Sequence, residues 1–89
     1  MDLGGFFIIS KGGWIMEYPM VSLEKTGRRM KEKVKECGYT TKEIMEYMGF
    51  RHPKSIYAWY RGDSLPTLEN MIALSVLLHV SVNELIVIE

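Results

Sequence analysis

The sequence predicts an all-α fold of five short helices, preceded at the N-terminus by a short β-hairpin. From residue 22 onward, apolar residues recur at the spacing of a helix face. Ser or Thr stands at the start of four of the five stretches, where a hydroxyl can cap the first turn, and glycine follows three of the five. The 89 residues, 47% of them hydrophobic and 25% charged, fit a single domain with a modest core.

Helix 1 is predicted to begin after an N-cap at Ser22 and to end before Gly38. We expect Cys37 to be a packed thiol, because it falls on the apolar stripe of this helix. As the only cysteine, it excludes an intramolecular disulfide and favours a cytoplasmic protein. The expected buried stripe consists of Leu23, Gly27, Met30, Val34 and Cys37.

Helix 2 is predicted between Thr40 and Gly49. Thr40 and Glu43 have the spacing of a capping box, in which each side chain accepts a bond from the other residue's backbone N–H. The residues expected to pack inward are Ile44, Tyr47, Met48 and, in the turn that follows, Phe50.

Helix 3 is predicted to begin at Pro53, whose fixed φ suits the first helical position, and to end at Gly62. At about 100° per residue, Ile56, Trp59 and Tyr60 share one side, with the first two in the core. The opposite side is short and mostly basic or hydrogen-bonding: Lys54, Ala58 and Arg61, flanked by Ser55 and Tyr57.

Helix 4 is expected from Leu68 to Leu78, capped by Thr67. Its apolar residues run nearly all the way round, so it must be covered on several sides. Helix 5 opens with a second capping box, Ser81 and Glu84.

Two apolar runs flank a glycine turn within residues 6–18, which predicts the hairpin. A lone hairpin is marginal in water, and the C-terminal run Leu85 to Ile88 is a candidate third strand. An alternative stays open, in which Met16 or Met20 is the natural start and the preceding residues are an accessory extension. The N-terminus fits neither a signal peptide nor a membrane span, because Asp2 replaces a basic start and Gly12-Gly13 interrupts the apolar run.

The net charge of zero conceals a basic middle between acidic ends. Ten Lys or Arg and four Glu lie between Lys25 and Arg61, whereas residues 63–89 hold four acids and no base. Such asymmetry allows one face to be presented to phosphates and the other to solvent or a protein partner. The two histidines, His52 and His79, stand far apart, so we expect neither a metal site nor a cofactor. No residue set has the pattern of a catalytic site, and an enzyme is not expected.

An ordered series of short motifs runs through the predicted helices. The motifs are Gly38-Tyr39-Thr40, Ile44-x-x-x-Met48-Gly49, Ile56-x-x-Trp59-x-Arg61-Gly62, Leu65-Pro66-Thr67-Leu68-Glu69-Asn70-Met71 and Val80-Ser81-Val82-Asn83-Glu84-Leu85. This series resembles the Cro/phage-repressor type of helix-turn-helix domain, the XRE family. The resemblance covers residues 22–86 and implies a five-helix lambda-repressor-like DNA-binding domain. Residues 1–21 would be an N-terminal extension and residues 87–89 a C-terminal tail.

The sequence departs from the family pattern at several positions. Thr41 stands where the family often has Gln, and Tyr60 where it usually has Glu, so an ion pair common in the family is not expected. His79 replaces a frequent glycine and tolerates left-handed backbone geometry better than most residues. The turn into helix 3, Arg51-His52-Pro53, is one residue longer than in the shortest repressors.

The resemblance implies sequence-specific binding of double-stranded DNA by a transcriptional regulator, with repression as the expected effect. The helix-turn-helix would run from about Thr40 to Gly62, with helix 3 in the major groove. The residues expected to read bases are His52, Lys54, Ser55, Tyr57 and Ala58. Those expected to contact phosphates are Thr41, Lys42, Arg61 and Asn70.

A homodimer is expected, because one such domain buries too little DNA surface for useful specificity. The candidate interface is the apolar ends, Phe6 to Met16 and Leu85 to Ile88. The alternative interpretation is a protein-interaction module, such as an antitoxin or mobile-element regulator, whose apolar ends bind a protein partner and whose DNA binding is secondary.

Overall fold

The structure is a computed structural model that describes residues 7–9 and 15–89. Five helices and two short strands make up this part of the molecule. This confirms the predicted all-α class with five helices. The elements are β1 Phe7–Ile9, β2 Ile15–Glu17, α1 Leu23–Glu36, α2 Thr41–Met48, α3 Lys54–Arg61, α4 Leu68–Leu78 and α5 Val82–Leu85.

The four predicted hydroxyl caps are present and fix where the helices begin. The Ser22 hydroxyl accepts a bond from the Lys25 N–H at 3.1 Å, and Thr67 and Ser81 cap α4 and α5 in the same way. At Thr40 the capping box is complete, since Glu43 Oε1 accepts from the Thr40 N–H at 2.9 Å. The second predicted capping box forms only in part. Within the described residues, the Ser81 hydroxyl accepts from the Glu84 N–H, but the Glu84 side chain does not accept from the Ser81 N–H.

The ends of three helices adopt left-handed backbone conformations. Gly49 closes α2 with φ 74° and Gly62 closes α3 with φ 82°. Glycine is needed at position 62 for two reasons. The left-handed backbone disfavours other residues, and a Cβ there would lie 2.8 Å from the Cα of Glu24. His79 closes α4 with φ 56°, as its tolerance of this geometry predicts. The start of α3 differs by one residue from the prediction, since Pro53, with ψ 4°, precedes the first helical residue.

The core lies where α1 and α3 cross and where α4 and α5 cover them. Its buried apolar members are Met30, Val34, Ile44, Ile56, Trp59, Met71, Leu74, Leu78 and Leu85. Gly27 allows α1 and α3 to approach backbone to backbone, because a Cβ at that position would overlap the carbonyl oxygen of Trp59. This close crossing fixes α3 against the longest helix of the domain.

The predicted stripe of α1 is buried in its middle and exposed at its two ends. Gly27, Met30 and Val34 are buried, whereas Leu23 and Cys37 are exposed. The packed thiol was therefore a wrong prediction. Cys37 follows the last helical residue, beyond the neighbours that cover the stripe, and its Sγ lies 3.8 Å from the carbonyl oxygen of Leu78.

Tyr47 of α2 was expected to face the core, but its side chain is 46% exposed. Its hydroxyl donates a hydrogen bond to the carbonyl oxygen of Ala73 on α4 at 3.1 Å. The ring therefore lies across the surface between the two helices, because burial of the phenol would have cost the hydroxyl its water contacts. Ile44 and Met48 pack on the core as predicted, the first completely.

The residues directly before α1 pair with the C-terminal residues. Ser22 N donates to Val87 O and Glu89 N donates to Met20 O, both at 2.8 Å, around a single antiparallel bridge between Val21 and Ile88. The fully buried Thr26 hydroxyl accepts from the Val87 N–H at 2.9 Å and so ties this pairing to α1.

The strands β1 and β2 pair antiparallel, with Ile9 opposite Ile15, and the residues between them lie outside the described residues. The C-terminal run does not extend this sheet among the described residues, contrary to the prediction, because Leu85 belongs to α5 and is fully buried. Leu85 therefore cannot take part in the predicted terminal dimer interface. Most of the other candidate segment, Phe6 to Met16, lies outside the described residues.

One sector of α4 remains uncovered, although the sequence predicted cover on several sides. Leu68, Ile72 and Val76 follow one another at four-residue spacing and are 73%, 48% and 64% exposed. Glu69 is the charged residue of this sector, and it stands at its edge. We call Leu68, Ile72 and Val76 the α4 stripe.

None of the described helices is long and apolar enough to cross a membrane.

Candidate nucleic-acid interface

The exposed side of α3 carries the predicted base-reading residues on one continuous surface. Lys54, Ser55 and Tyr57 are exposed and Ala58 is half-buried. Arg61 shares this arc, which faces away from the buried Ile56 and Trp59. His52 is exposed in the turn just before the helix. The helix therefore presents a cation, a hydroxyl, a phenol and a methyl group on the side that is not packed.

Buried residues hold this surface in a fixed orientation. Ile56 is fully buried and Trp59 nearly so, as predicted. The ring of Phe50 meets the Trp59 ring edge to face, with centroids 5.8 Å apart, and so closes the turn before α3. Because Gly27 of α1 contacts the backbone behind Trp59, α3 is fixed on both its buried flanks.

The turn between α2 and α3 adds a cation, Arg51, for which the sequence predicted no DNA contact. Arg51 and His52 are both exposed there. The Phe50 N–H donates to Met45 O at 3.0 Å, and the Pro53 carbonyl accepts from the Tyr57 N–H at 3.1 Å, so the turn is bonded at both ends. Because Arg51 is a base directly before α3, its position in the sequence could have placed it among the predicted DNA contacts.

The start of α2 has the donors expected of a phosphate contact. Lys42 is exposed and Thr41 half-buried. Within the described part of the chain, the N–H groups of Thr41 and Lys42 have no hydrogen-bond partner, since the Thr40 hydroxyl bonds to the N–H of Glu43. Free N–H groups and the positive end of the helix dipole favour an anion at this position.

The other two predicted phosphate contacts are partly engaged within the protein. Arg61 Nε lies 2.9 Å from Asp63 Oδ2, and both side chains are about 60% exposed. Such a surface pair contributes little, so a phosphate can compete for the guanidinium. The half-buried Asn70 donates its backbone N–H to the Thr67 hydroxyl, which leaves its side-chain amide for an outside contact.

Tyr60 lies at the edge of this surface with an unusual hydroxyl. Its Oη is buried and, among the described residues, it is the one buried side-chain N or O atom that lacks a hydrogen-bond partner. Burial, and secondarily the neighbouring phenol of Tyr57, raise the pKa of Tyr60 to about 12. The hydroxyl therefore keeps its proton into the alkaline range, above the pH at which an ordinary tyrosine loses it.

Most bases of the domain belong to α1, to the turn before α3 and to α3. Six of the eleven Lys and Arg residues belong to α1, and Arg51, Lys54 and Arg61 belong to the turn and α3. Residues 63–89, which include α4 and α5, contain no base. Within the described residues, no three His, Cys, Asp or Glu come together as possible metal ligands.

Comparison with solved structures gives relatives for this fold. No protein-family model and no curated protein matches the chain. The restriction-modification controller protein C.AhdI from Aeromonas hydrophila is similar with a TM-score of 0.63 and 24% identity, over 71% of this chain and 94% of that one. The likeness to C.AhdI concerns the fold.

The second similar structure is SinR, the master regulator for biofilm formation, solved in complex with DNA. Its TM-score is 0.60 and its identity 30%, over 67% of this chain and 95% of that one. The chain belongs to the XRE family of helix-turn-helix domains. The resemblance predicted from the motifs of residues 22–86 is thereby confirmed. Within this XRE domain, α2 and α3 are the helix-turn-helix, and the solvent-facing side of α3 is the surface described above.

Proposed function

We propose that this XRE domain is a sequence-specific regulator of transcription, acting in the cytoplasm as a repressor, that places α3 in the major groove of double-stranded DNA. The observation that carries the proposal is the exposed polar side of α3, held rigidly by Ile56 and Trp59. A B-DNA major groove admits one α-helix, and fixed side chains on such a helix can read base edges. SinR, which shares the fold, has been solved with DNA bound.

The exposed residues of α3 have distinct chemical roles in this proposal. Lys54 in the first turn donates to guanine O6 or N7, and the methyl group of Ala58 contacts a thymine methyl. Tyr57 and Ser55 offer hydroxyls to either side of this row, and His52 extends it from the turn. These contacts give sequence preference because they are made to base edges rather than to phosphates.

Phosphate contacts come from the start of α2, with Thr41 and Lys42, and from Arg61 and Asn70. The unpartnered N–H groups of Thr41 and Lys42 support the α2 contact. These contacts fix the position of α3 on the duplex and do not depend on sequence.

We further propose that the domain binds DNA as a homodimer through the α4 stripe. A single recognition helix covers few base pairs, and two copies on half-sites one helical turn apart double that number. The stripe is a row of aliphatic side chains with one charged residue at its edge, and exposed rows of this kind mark interaction surfaces. A second copy presents the same apolar row, so no charges of like sign need to meet at its centre.

The same stripe also supports the second candidate, a protein-interaction module such as an antitoxin or mobile-element regulator. In that case the α4 stripe binds a different protein, and DNA binding is secondary. The neutral net charge is compatible with this candidate.

The two candidates are distinguished by selecting duplexes from a random pool and measuring their affinity by fluorescence anisotropy over a salt series. We expect one enriched sequence, arranged as two half-sites, and an affinity that falls steeply with salt because phosphate contacts release counterions. Enrichment of no sequence, together with the absence of binding at low salt, would reject the regulator and favour the interaction module.

A further inference from the structure

A surface pocket of about 380 Å³ lies where α1, α2 and α3 meet. It adjoins the start of α2, where the predicted phosphate contact of Thr41 is found. It also adjoins Tyr60, which follows Tyr57 by three residues on α3. The pocket is lined by Lys31, Val34, Lys35, Gly38, Tyr39, Thr40, Thr41 and Tyr60.

Two uncommitted cations line this pocket. Lys31 and Lys35 stand four residues apart, so their side chains leave the same face of α1. Neither forms an ion pair among the described residues, whereas Lys33 pairs with Glu36 at 3.7 Å and Arg28 with Glu24 at 2.9 Å. No carboxylate lines the pocket. The charge of this face is therefore available to an anion from outside.

A neutral donor stands beside the two lysines. The N–H group of Thr41, which lines the pocket, has no partner within the described chain. The carboxylate of Glu43, which does not line the pocket, accepts at its Oε1 from the N–H and the hydroxyl of Thr40, at 2.9 and 3.1 Å. Cations and N–H or O–H donors without acceptors are the groups that bind a phosphate.

We propose that this pocket binds one phosphate of the DNA backbone, flanking the base pairs read by α3, with Lys31 and Lys35 as its charged contacts. This rests on the proposed function and extends the phosphate-binding surface from α2 onto α1. A backbone phosphate is favoured over a free one because the pocket is continuous with Thr41 and lies beside the reading helix. In the sequence, nothing distinguishes these two lysines from the other bases of α1.

The test compares two double variants of the full chain that remove the same charge from the same helix. Lys31→Gln/Lys35→Gln alters the pocket. Lys25→Gln/Lys33→Gln is the matched control, because Lys25 lines a different pocket with Arg28, Arg29, Glu32 and Val87, on the other flank of α1. Both variants must first show the unfolding temperature of the wild type. Affinity for the selected duplex and for an unrelated duplex is then measured over a salt series.

We expect the pocket variant to lose affinity several-fold for both duplexes and the slope of log affinity against log salt to become shallower by about 1, as for one lost phosphate contact. The control should change the slope by less than half as much. Equal changes in the two variants, or an unchanged slope in the pocket variant, would overturn the proposal.

Two further outcomes would reject the proposal for different reasons. If the wild type itself lacks salt-dependent duplex binding, the proposed function fails before the pocket is tested, and the backbone phosphate is rejected with it. The second arm titrates inorganic pyrophosphate into the DNA-free protein while the amide resonances of Thr41 and Lys42 are followed by NMR. Saturation at micromolar pyrophosphate that is abolished in the pocket variant, with duplex binding unaltered, would overturn the proposal in favour of a free phosphorylated ligand.

Discussion

Single residues of this domain depart from the family pattern in ways that have measurable consequences. Tyr60 stands where XRE domains usually have Glu, and its buried hydroxyl has no partner among the described residues. Leaving a buried hydroxyl unpaired costs about 1–3 kcal/mol of stability.

The raised pKa of Tyr60 predicts how stability depends on alkaline pH. Because the folded protein holds this proton up to about pH 12, whereas an unfolded tyrosine loses it near pH 10.0, the contribution of the protonated phenol is complete below pH 10 and is lost as the pH rises towards 12. We expect Tyr60→Phe to be at least as stable as the wild type at neutral pH. Between pH 10 and 12 its free energy of unfolding should fall less steeply.

Urea unfolding at a series of pH values checks this prediction. Tyr47→Phe, which alters a half-exposed phenol bonded to Ala73 O, serves as the control for loss of a tyrosine hydroxyl in general. Parallel curves for the wild type and Tyr60→Phe from pH 10 to 12 would show that Tyr60 titrates normally in the folded state.

At the scale of elements, capping hydroxyls and terminal glycines in the sequence predicted where the helices begin and end. Hydroxyls at Ser22 and Thr40 and the glycines at 49 and 62 act within one helical turn, so their effects can be read without knowledge of the fold. The exposure of Cys37 and Tyr47 could not be predicted in this way, because it depends on how far the neighbouring helices extend. The pocket on α1 escaped prediction for the same reason: helical spacing gives no sign of which of the six bases on α1 line a pocket with α2 and α3.

The crossing of α1 and α3 predicts a large effect of a small substitution at Gly27. Alanine should stabilise a helix interior by about 1 kcal/mol relative to glycine. Here its methyl group would overlap the Trp59 carbonyl, and backbone atoms cannot move aside as a flexible side chain can. We therefore expect Gly27→Ala to destabilise the domain by about 1–3 kcal/mol, as for overpacked cores.

Thermal and urea unfolding of Gly27→Ala, beside Glu32→Ala as an exposed substitution in the same helix, would measure the effect. The control should remain within about 0.5 kcal/mol of the wild type. A Gly27→Ala protein as stable as the wild type, or more so, would mean that α1 and α3 do not cross at this glycine.

At the scale of the whole molecule, charge is divided unevenly along the chain. Ten of the eleven bases lie on α1, α2, the turn and α3, whereas residues 63–89 lack bases and carry the exposed α4 stripe. The acids of residues 1–24 and 63–89 balance the basic middle, which gives the neutral total charge. The sequence predicted this division of charge, but it placed the interface at the chain ends, where Leu85 proves to be part of the core.

The dimer proposal predicts that a charge in the α4 stripe abolishes association. Ile72→Glu places a carboxylate in the centre of the stripe, where two copies would bring like charges together. Ile88→Glu is the matched control, since Ile88 is 52% exposed, against 48% for Ile72, and belongs to the terminal interface that the sequence suggested. In sedimentation equilibrium we expect the wild type and Ile88→Glu to be dimeric and Ile72→Glu to be monomeric. A dimeric Ile72→Glu and a monomeric Ile88→Glu would mean that the interface lies at the chain ends.

The central claim is that the exposed side of α3 reads the sequence of DNA. Its most direct test is the affinity of Lys54→Ala and Lys42→Ala for the selected duplex and for duplexes with single base-pair changes. We predict that Lys54→Ala loses about 1–3 kcal/mol on the selected duplex and no longer discriminates at one base pair, whereas Lys42→Ala weakens binding to every duplex equally. Unchanged discrimination at all positions in Lys54→Ala, with losses equal to those of Lys42→Ala on every duplex, would contradict the account.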